Sequence, residues 1–316
     1  MTAVLAEPRQ GGRGDAAEST IEHLYLMGRP PMRNFVRYVE RNAVEPPGEA
    51  ALHDLWRRAR DVLAELERTE AGIADHPSLT PLGADEPLLR KLLNDPLIRD
   101  GFNAVPTEVA MVDLRQVVVY QGHIDVTHAR RLAEDWGAAP SWPDLFRICL
   151  PYDHPNPPVR WSRLSKSRYT FVSPSNDLRF LGPMPMDPGR VRDFAVPGNL
   201  VNVIGIAVGF GSNFLNAVHT GKRIILCNGS HRAYALRTMG VTHVPAIVQH
   251  AVTPEEIEAV ASTRVNDDGA LYLEHPRPPM LQDYLDPRLH YLMAVRRRVR
   301  QVTVRFQVEE DDVPAL

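Results

Sequence analysis

The sequence has no apolar run of membrane-spanning length and no hydrophobic stretch of signal-peptide type near Met1. It contains only two cysteines, Cys149 and Cys227, which excludes a disulfide scaffold, and neither has the spacing of a metal-binding motif. Neither sign of charge is in large excess, since 36 basic and 39 acidic residues give a net charge of −3. This balance provides no global attraction to nucleic acid. We therefore expect a soluble, cytoplasmic protein without membrane contact, without its own metal ligands and without tight nucleic-acid binding.

The length of 316 residues allows one elaborated domain or two domains. A polar, glycine-containing tail is predicted at 1–17, an N-terminal helical region at 18–104, a central domain at 105–252 and a C-terminal extension at 253–316. Within the central domain, the proline-dense segment 137–199 is predicted to be an insertion.

Several helices are predicted in the N-terminal region. Ser19-Thr20-Ile21-Glu22 has the form of a capping box and predicts a short helix ending by Gly28. Further helices are predicted around 35–39, at 49–69 and at 88–93. The helix at 49–69 has an apolar stripe, which favours packing on the core or on a partner over cofactor binding. The stripe consists of Leu52, Leu55, Trp56, Ala59, Val62, Leu63 and Leu66.

The most informative stretch predicts a strand, a turn, a helix and a second strand. The strand at 223–227 leads into an Asn228-Gly229 turn, a helix begins at Ser230 and ends near Gly240, and a strand follows at 244–248. A glycine turn that opens a helix leaves backbone N–H groups free, and with Arg232 beside them these groups can bind phosphate. The alternative is a turn that only connects a strand to a helix.

This stretch resembles the core of the ParB/sulfiredoxin superfamily, in which a strand runs into a Gly-x-x-Arg motif opening a helix before a Val-Pro-Ala-Ile-Val strand. The counterparts are Gly229-Ser230-His231-Arg232 and Val244-Pro245-Ala246-Ile247-Val248. The resemblance implies an α/β (α+β) fold with a mixed sheet. It also implies a nucleotide, ATP or CTP, with Mg²⁺, whose phosphates are held by Asn228, Gly229, Ser230, His231 and Arg232.

Two departures narrow what the resemblance implies. Ser230 stands where sulfiredoxins have their catalytic cysteine, and Cys227 at the end of the strand is expected to be buried, which argues against sulfinic acid reductase activity. The segment Glu108–Trp136 resembles the opening of the same superfamily, but its polar box is Gln121-Gly122-His123, without the arginine of the ParB motif. No Glu-Asn-x-x-Arg motif follows Gly229, which argues against a CTP-operated clamp.

Three functions remain open. The first is an enzyme transferring a phosphoryl group from ATP to a small molecule, with His231 donating to phosphates and His123 or Asp125 accepting the hydroxyl proton. Asp125 is alternatively only the N-cap of the helix that follows it. The second is a non-catalytic accessory protein, which contacts a protein partner or a second copy through its N-terminal helices or C-terminal strand. The third is a DNA-binding partition-type or regulatory protein.

The insertion is predicted to be a lid that binds the acceptor substrate through His154, Arg160 and Trp161, the alternative being a solvated loop. Within it, 169–173 and 178–181 are predicted to pair as a β-hairpin. The apolar run at 200–210 predicts a buried strand, followed by a helix at 213–219. Near the C-terminus, a helix opening at Thr253 and a half-buried strand at 302–308 are expected.

Overall fold

The structure, a computed structural model, describes residues 20–83, 86–175, 177–190 and 198–312. The predicted tail at 1–17 lies outside these residues. The chain forms two compact units: the first contains the residues up to Asp153 together with Asn213–Arg297, and the second contains His154–Ser212 and the residues from Arg298 onward. The predicted insertion therefore divides between them, with its first part, up to Asp153, in the first unit.

The described residues form strands and helices in mixed order along the chain. The strands are β1 (Thr20–Leu26), β2 (Leu79–Pro81), β3 (Thr107–Asp113), β4 (Val118–Val119), β5 (His123–Asp125), β6 (Arg160–Ser165), β7 (Arg168–Ser173), β8 (Leu178–Met186), β9 (Val203–Phe210), β10 (Asn216–Thr220), β11 (Arg223–Asn228), β12 (His243–His250), β13 (His290–Arg296) and β14 (Arg300–Arg305). The α-helices are α1 (Met32–Asn42), α2 (Glu49–Thr69), α3 (Pro87–Leu93), α4 (Pro96–Gly101), α5 (Val126–Trp136), α6 (Trp142–Cys149), α7 (Ser230–Thr238), α8 (Pro254–Val260) and α9 (Thr263–Asp267).

The main sheet of the first unit has the order β2-β3-β12-β10-β11-β4 and contains both parallel and antiparallel pairs. Strand β11, which lies next to the edge strand β4, is apolar from Ile224 to Cys227 because both of its faces are covered. Ile224 and Leu226 belong to the largest core cluster, whereas Ile225 belongs to another cluster. The predicted α+β class is confirmed.

A smaller sheet, β13-β1-β5, packs with α1 and α2 in the first unit. The stripe of α2 is buried at Leu52, Ala59 and Leu63, which confirms its prediction as a packing face. The helix predicted from the capping box at 19–22 is wrong, since β1 begins at Thr20 and pairs along its whole length with β13. Long-range strand pairing overrides the local capping pattern at this segment.

The second unit is built from two small sheets, β14-β7-β6 and β8-β9. The hairpin predicted between 169–173 and 178–181 is wrong, because β7 pairs with β6 and β14 while β8 pairs with β9. The predicted buried strand at 200–210 is wrong in its burial: β9 forms a two-stranded ribbon in which Ile204 is 72% exposed.

Several other local predictions are confirmed, namely the helices at 35–39, 49–69 and 88–93 and the helix opening at Thr253. The helix predicted at 213–219 is wrong, because Asn216–His219 pair in parallel with β12 as part of β10. The predicted C-terminal strand exists but ends at Arg305, and Val308 is exposed. No helix among the described residues is both long and apolar enough to cross a membrane.

Candidate functional site

Gly229 shapes the connection between β11 and α7. Its φ of +91° lies in the left-handed region, and a Cβ added there would lie 3.1 Å from Leu215 Cγ and 3.3 Å from Leu215 Cα. Both the backbone conformation and the close approach of Leu215 therefore require glycine. The predicted strand, turn and helix are confirmed, with α7 beginning at Ser230.

The Asn228 side chain holds this turn in place. Its Nδ2 donates to Phe214 O at 3.0 Å, and its Oδ1 accepts from Gly229 N at 2.9 Å. The N–H of Gly229 is thus already bonded. The N–H groups that remain for an anion are those of the first turn of α7, which have no acceptor within the helix.

The first turn of α7 carries no acidic residue, and no side chain of the described residues caps it. The partial positive charge of the helix N-terminus is therefore not neutralised locally. This favours an anion in front of Ser230 and His231.

Arg232 joins three parts of the backbone. Its Nη1 donates to Ile148 O at 2.9 Å, Cys149 O at 3.3 Å and Asn213 O at 2.8 Å, and the residue is only 9% exposed. Burial lowers the pKa of its guanidinium. Arg232 thus connects the end of α6 to the segment before β10, and its predicted contact with phosphate stays a prediction.

Four imidazoles lie beside the start of α7, and we call them the histidine cluster: His23, His123, His128 and His231. The rings of His231 and His128 are 5.5 Å apart, and His123 stacks on His23 at 4.7 Å. His23 Nδ1 lies 3.0 Å from Tyr38 Oη. Because β5, α5 and α7 pack together, the cluster brings two predicted catalytic residues, His123 and His231, to one place.

One nitrogen of the histidine cluster, His231 Nε2, is buried, and within the described part of the chain nothing bonds to it. His128, in contrast, is exposed. A buried polar atom without a partner is costly, so this nitrogen is suited to bind a ligand atom.

The cluster is uncharged near neutral pH. Burial, with a smaller contribution from the neighbouring His128, lowers the pKa of His231 to about 3. Burial, with a smaller contribution from His23, lowers the pKa of His123 to about 4. A neutral imidazole has one donor and one acceptor nitrogen, so each ring can either donate to an oxyanion or accept a proton.

Asp125 caps α5, since its Oδ1 accepts from His128 N at 2.9 Å. The N-cap alternative is confirmed, and a role of this carboxylate as a base stays a prediction. Burial raises the pKa of the Cys149 and Cys227 thiols to about 12, so neither forms a thiolate near neutral pH.

The three predicted substrate-binding residues belong to the second unit. Arg160 and Trp161 lie on β6, and Trp161 is 67% exposed. His154 lies at the start of that unit. The Gly229 turn belongs to the first unit, and the lid stays a prediction.

Sequence reasoning missed His23, Tyr38 and His128. His128 could have been found, because it follows the predicted N-cap Asp125 by one helical turn. His23 was hidden by the wrong assignment of its segment as a helix. Among the residues that the structure describes, no group of three or more His, Cys, Asp or Glu residues could hold a metal ion.

Comparisons of the chain with family models, with curated proteins and with solved structures found no match.

Proposed function

We propose that this chain is a ParB/sulfiredoxin-like nucleotide-binding protein that transfers a phosphoryl group from ATP, or from CTP, to a small molecule. The observation that carries the proposal is the buried His231 Nε2, which bonds to no described residue and lies at the first turn of α7, where no described side chain forms a cap. In this proposal the nucleotide phosphates would lie at that position, and Mg²⁺ would neutralise part of their charge.

The packing of the two sequence blocks that resemble the superfamily supports the proposal. The strand of the first block, β3, pairs with the last strand of the second block, β12, and α5 packs on α7. Residues far apart in the sequence thereby lie near the same helix start. If the two blocks resembled the superfamily only by chance, there would be no reason for them to pack against each other.

The phosphates would be bound by the N–H groups of Ser230 and His231 and by the His231 imidazole. Fixed dipoles of this kind stabilise the charge that develops on the transferred group. Arg232 would hold the loop behind the phosphates in shape through its three carbonyl contacts. The resemblance assigns Asn228, Gly229 and Arg232 to phosphate binding as well.

The acceptor hydroxyl oxygen attacks the γ-phosphorus while the bond to the bridging oxygen of the nucleotide breaks, and the nucleoside diphosphate leaves. The hydroxyl proton passes to His123 or Asp125. A bound phosphate raises the proton affinity of nearby imidazoles, because an adjacent negative charge favours their charged form. His154, Arg160 and Trp161 would bind the acceptor.

Calorimetric titration with ATP, CTP and GTP in the presence of Mg²⁺ tests the nucleotide assignment. We expect His231→Ala to weaken binding by about 1.5–3 kcal/mol, the value for a hydrogen bond to a charged group. His243→Ala is the matched control, because His243 is a half-exposed histidine outside the cluster. Equal affinities of wild type and His231→Ala would refute the assignment.

Exposed apolar side chains favour a second candidate function, a non-catalytic accessory protein. Ile204, Ile206, Phe180 and Met184 are all exposed on β8 and β9. Apolar patches of this kind often mark protein interaction sites. If the wild-type protein binds none of the nucleotides, the accessory function becomes the leading proposal. DNA-binding partition activity is the third candidate because of the acidic charge balance.

A further inference from the structure

The first unit has a second polar cleft, which shares no residue with the histidine cluster. Its volume is about 310 Å³, which lies at the small end of the range for clefts that bind small molecules. The cleft lies where the segment after β1, helix α2 and the chain after α9 meet. It is lined by Arg29, Arg60, Asp268, Ala270, Leu271 and His275.

Arg29 is a buried arginine that has too few hydrogen-bond acceptors among the described residues. Its side chain is only 8% exposed, and its Nη1 lies 3.6 Å from Glu67 Oε1. Its Nε and Nη2 are buried and have no partner in the described ranges of the chain. Burial lowers its pKa to about 10, so the guanidinium still carries its charge at neutral pH. A buried charged donor without an acceptor is expensive, and this cost favours the binding of an anion.

The other nearby acids cannot supply the acceptors that Arg29 needs. Asp283 is bonded through both oxygens to Arg277 and also accepts from Met280 N. Glu70 is bonded to Arg277 Nε. These acids are therefore used by a different arginine, and Arg29 Nε and Nη2 find no acceptor among the described residues.

Two further donors lie at the same cleft. Arg60 is exposed, and its Nη1 donates to Gly28 O at 3.4 Å, next to Arg29 in the chain. His275 Nε2 lies 3.6 Å from Glu67 Oε1, so Glu67 is shared between His275 and Arg29. Burial lowers the pKa of His275, and the positive charge of Arg29 contributes. An anion in the cleft would relieve the repulsion among these groups.

We propose that this cleft binds a small organic phosphate, whose phosphoryl group accepts from Arg29 and Arg60. Guanidinium groups match phosphoryl oxygens in pairs, and several donors together favour a tetrahedral dianion over a single carboxylate. Asp268 is the acid at the cleft, and its Oδ1 accepts from Leu271 N at 3.3 Å. The remaining acceptor capacity of Asp268 suits a hydroxyl group on the organic part of the ligand.

The test uses the full chain and four probes: glycerol 3-phosphate, inorganic phosphate, succinate and glycerol. We expect glycerol 3-phosphate and phosphate to bind in calorimetry and to raise the unfolding midpoint, and glycerol to do neither. Stronger binding of succinate than of either phosphate would overturn the phosphoryl assignment. Absence of phosphate binding to wild type would overturn the proposal as a whole.

Two matched variants locate the site. Arg60→Ala should weaken glycerol 3-phosphate binding about 10-fold or more, the loss expected for one charge-assisted hydrogen bond. Arg58→Ala, an exposed arginine on the same helix and outside the cleft, should leave the affinity unchanged. Equal affinities of Arg60→Ala and wild type would overturn the assignment.

A third variant, Arg29→Met, separates ligand binding from folding. If Arg29 serves a ligand, the ligand-free variant should unfold at an equal or higher temperature than wild type, because two buried donors that bond to no described residue have been removed. Its response to phosphate should be lost. A lower midpoint with unchanged phosphate affinity would show that Arg29 serves only its contact with Glu67, which overturns the proposal.

Discussion

Arg232 has a structural role in addition to the phosphate contact that its motif suggests. In the sequence it completes a Gly-x-x-Arg pattern, whereas in the structure its Nη1 bonds to three backbone carbonyls. A substitution of Arg232 would therefore disturb the fold before it disturbed a ligand. His231, whose Nε2 bonds to no described residue, is for this reason the better position at which to test nucleotide binding.

We expect Arg232→Ala to lower the free energy of unfolding by about 2–4 kcal/mol, because buried carbonyl groups lose a charged donor. Urea unfolding followed by circular dichroism measures this change. Arg68→Ala is the control, since Arg68 also donates to a backbone carbonyl but is exposed on α2. A loss for Arg232→Ala no larger than that for Arg68→Ala would contradict the structural role.

The buried imidazoles make stability depend on pH. The folded-state pKa values of His231 and His123 are lowered to about 3 and about 4, below the ordinary value of 6.5. Each histidine therefore contributes stability that is fully present above pH 6.5. This contribution is lost as the pH falls from 6.5 towards the pKa of the histidine in the folded protein. The expected loss is at most about 1.4 kcal/mol per pH unit for each histidine.

Urea unfolding between pH 7 and pH 5 tests this dependence, since both pH values lie at or above the folded pKa values of these groups. In His231→Gln, the free energy of unfolding should decrease less between pH 7 and pH 5 than it does in the wild type. His53→Gln, a substitution of a histidine on α2 outside the cluster, should leave it unchanged. An identical slope for wild type and His231→Gln would show that His231 is solvated or charged in the folded protein.

At the scale of helices and strands, the sequence predicts best where local signals and packing agree. Helix α2 was predicted with its bounds, and Gly229 marked the start of α7 because only glycine tolerates that turn. The helix prediction at 20–26 is wrong because this segment pairs with β13, whose residues lie about 270 positions away in the sequence. Hydrophobic periodicity cannot reveal such a distant pairing. The predicted burial of β9 is wrong for a related reason, since apolar composition alone does not determine which sheet a strand joins.

In the candidate site, too, the sequence predicts local features but not contacts between distant segments. The Gly229 turn and His231 could be predicted, because a turn dipeptide and a helix start are local features. The histidine cluster could not, because His23 and His123 meet only through the pairing of β1 with β5. Likewise, the unpaired donors of Arg29 have no signature in the sequence and depend on burial alone.

At the scale of the whole molecule, the charge distribution bears on nucleic acid. The net charge of −3 gives no overall attraction, yet β6 is exposed along its length and carries Arg160 and Arg163. A few exposed arginines neutralise few phosphates, so their attraction is weak and strongly screened by salt. The acids at 309–312, in the same compact unit, oppose it further.

We therefore expect at most micromolar affinity for duplex DNA in a fluorescence anisotropy assay at about 0.15 M salt, where the Debye length is about 8 Å. Arg160→Ala combined with Arg163→Ala should weaken this binding further and reduce its salt slope by at most about two units, because each lost phosphate contact alters the slope by about one unit. Arg57→Ala combined with Arg58→Ala on α2 is the control for a nonspecific charge effect. Nanomolar binding with a steep salt slope that the β6 variant abolishes would place a nucleic-acid site on the second unit and make DNA binding the leading function.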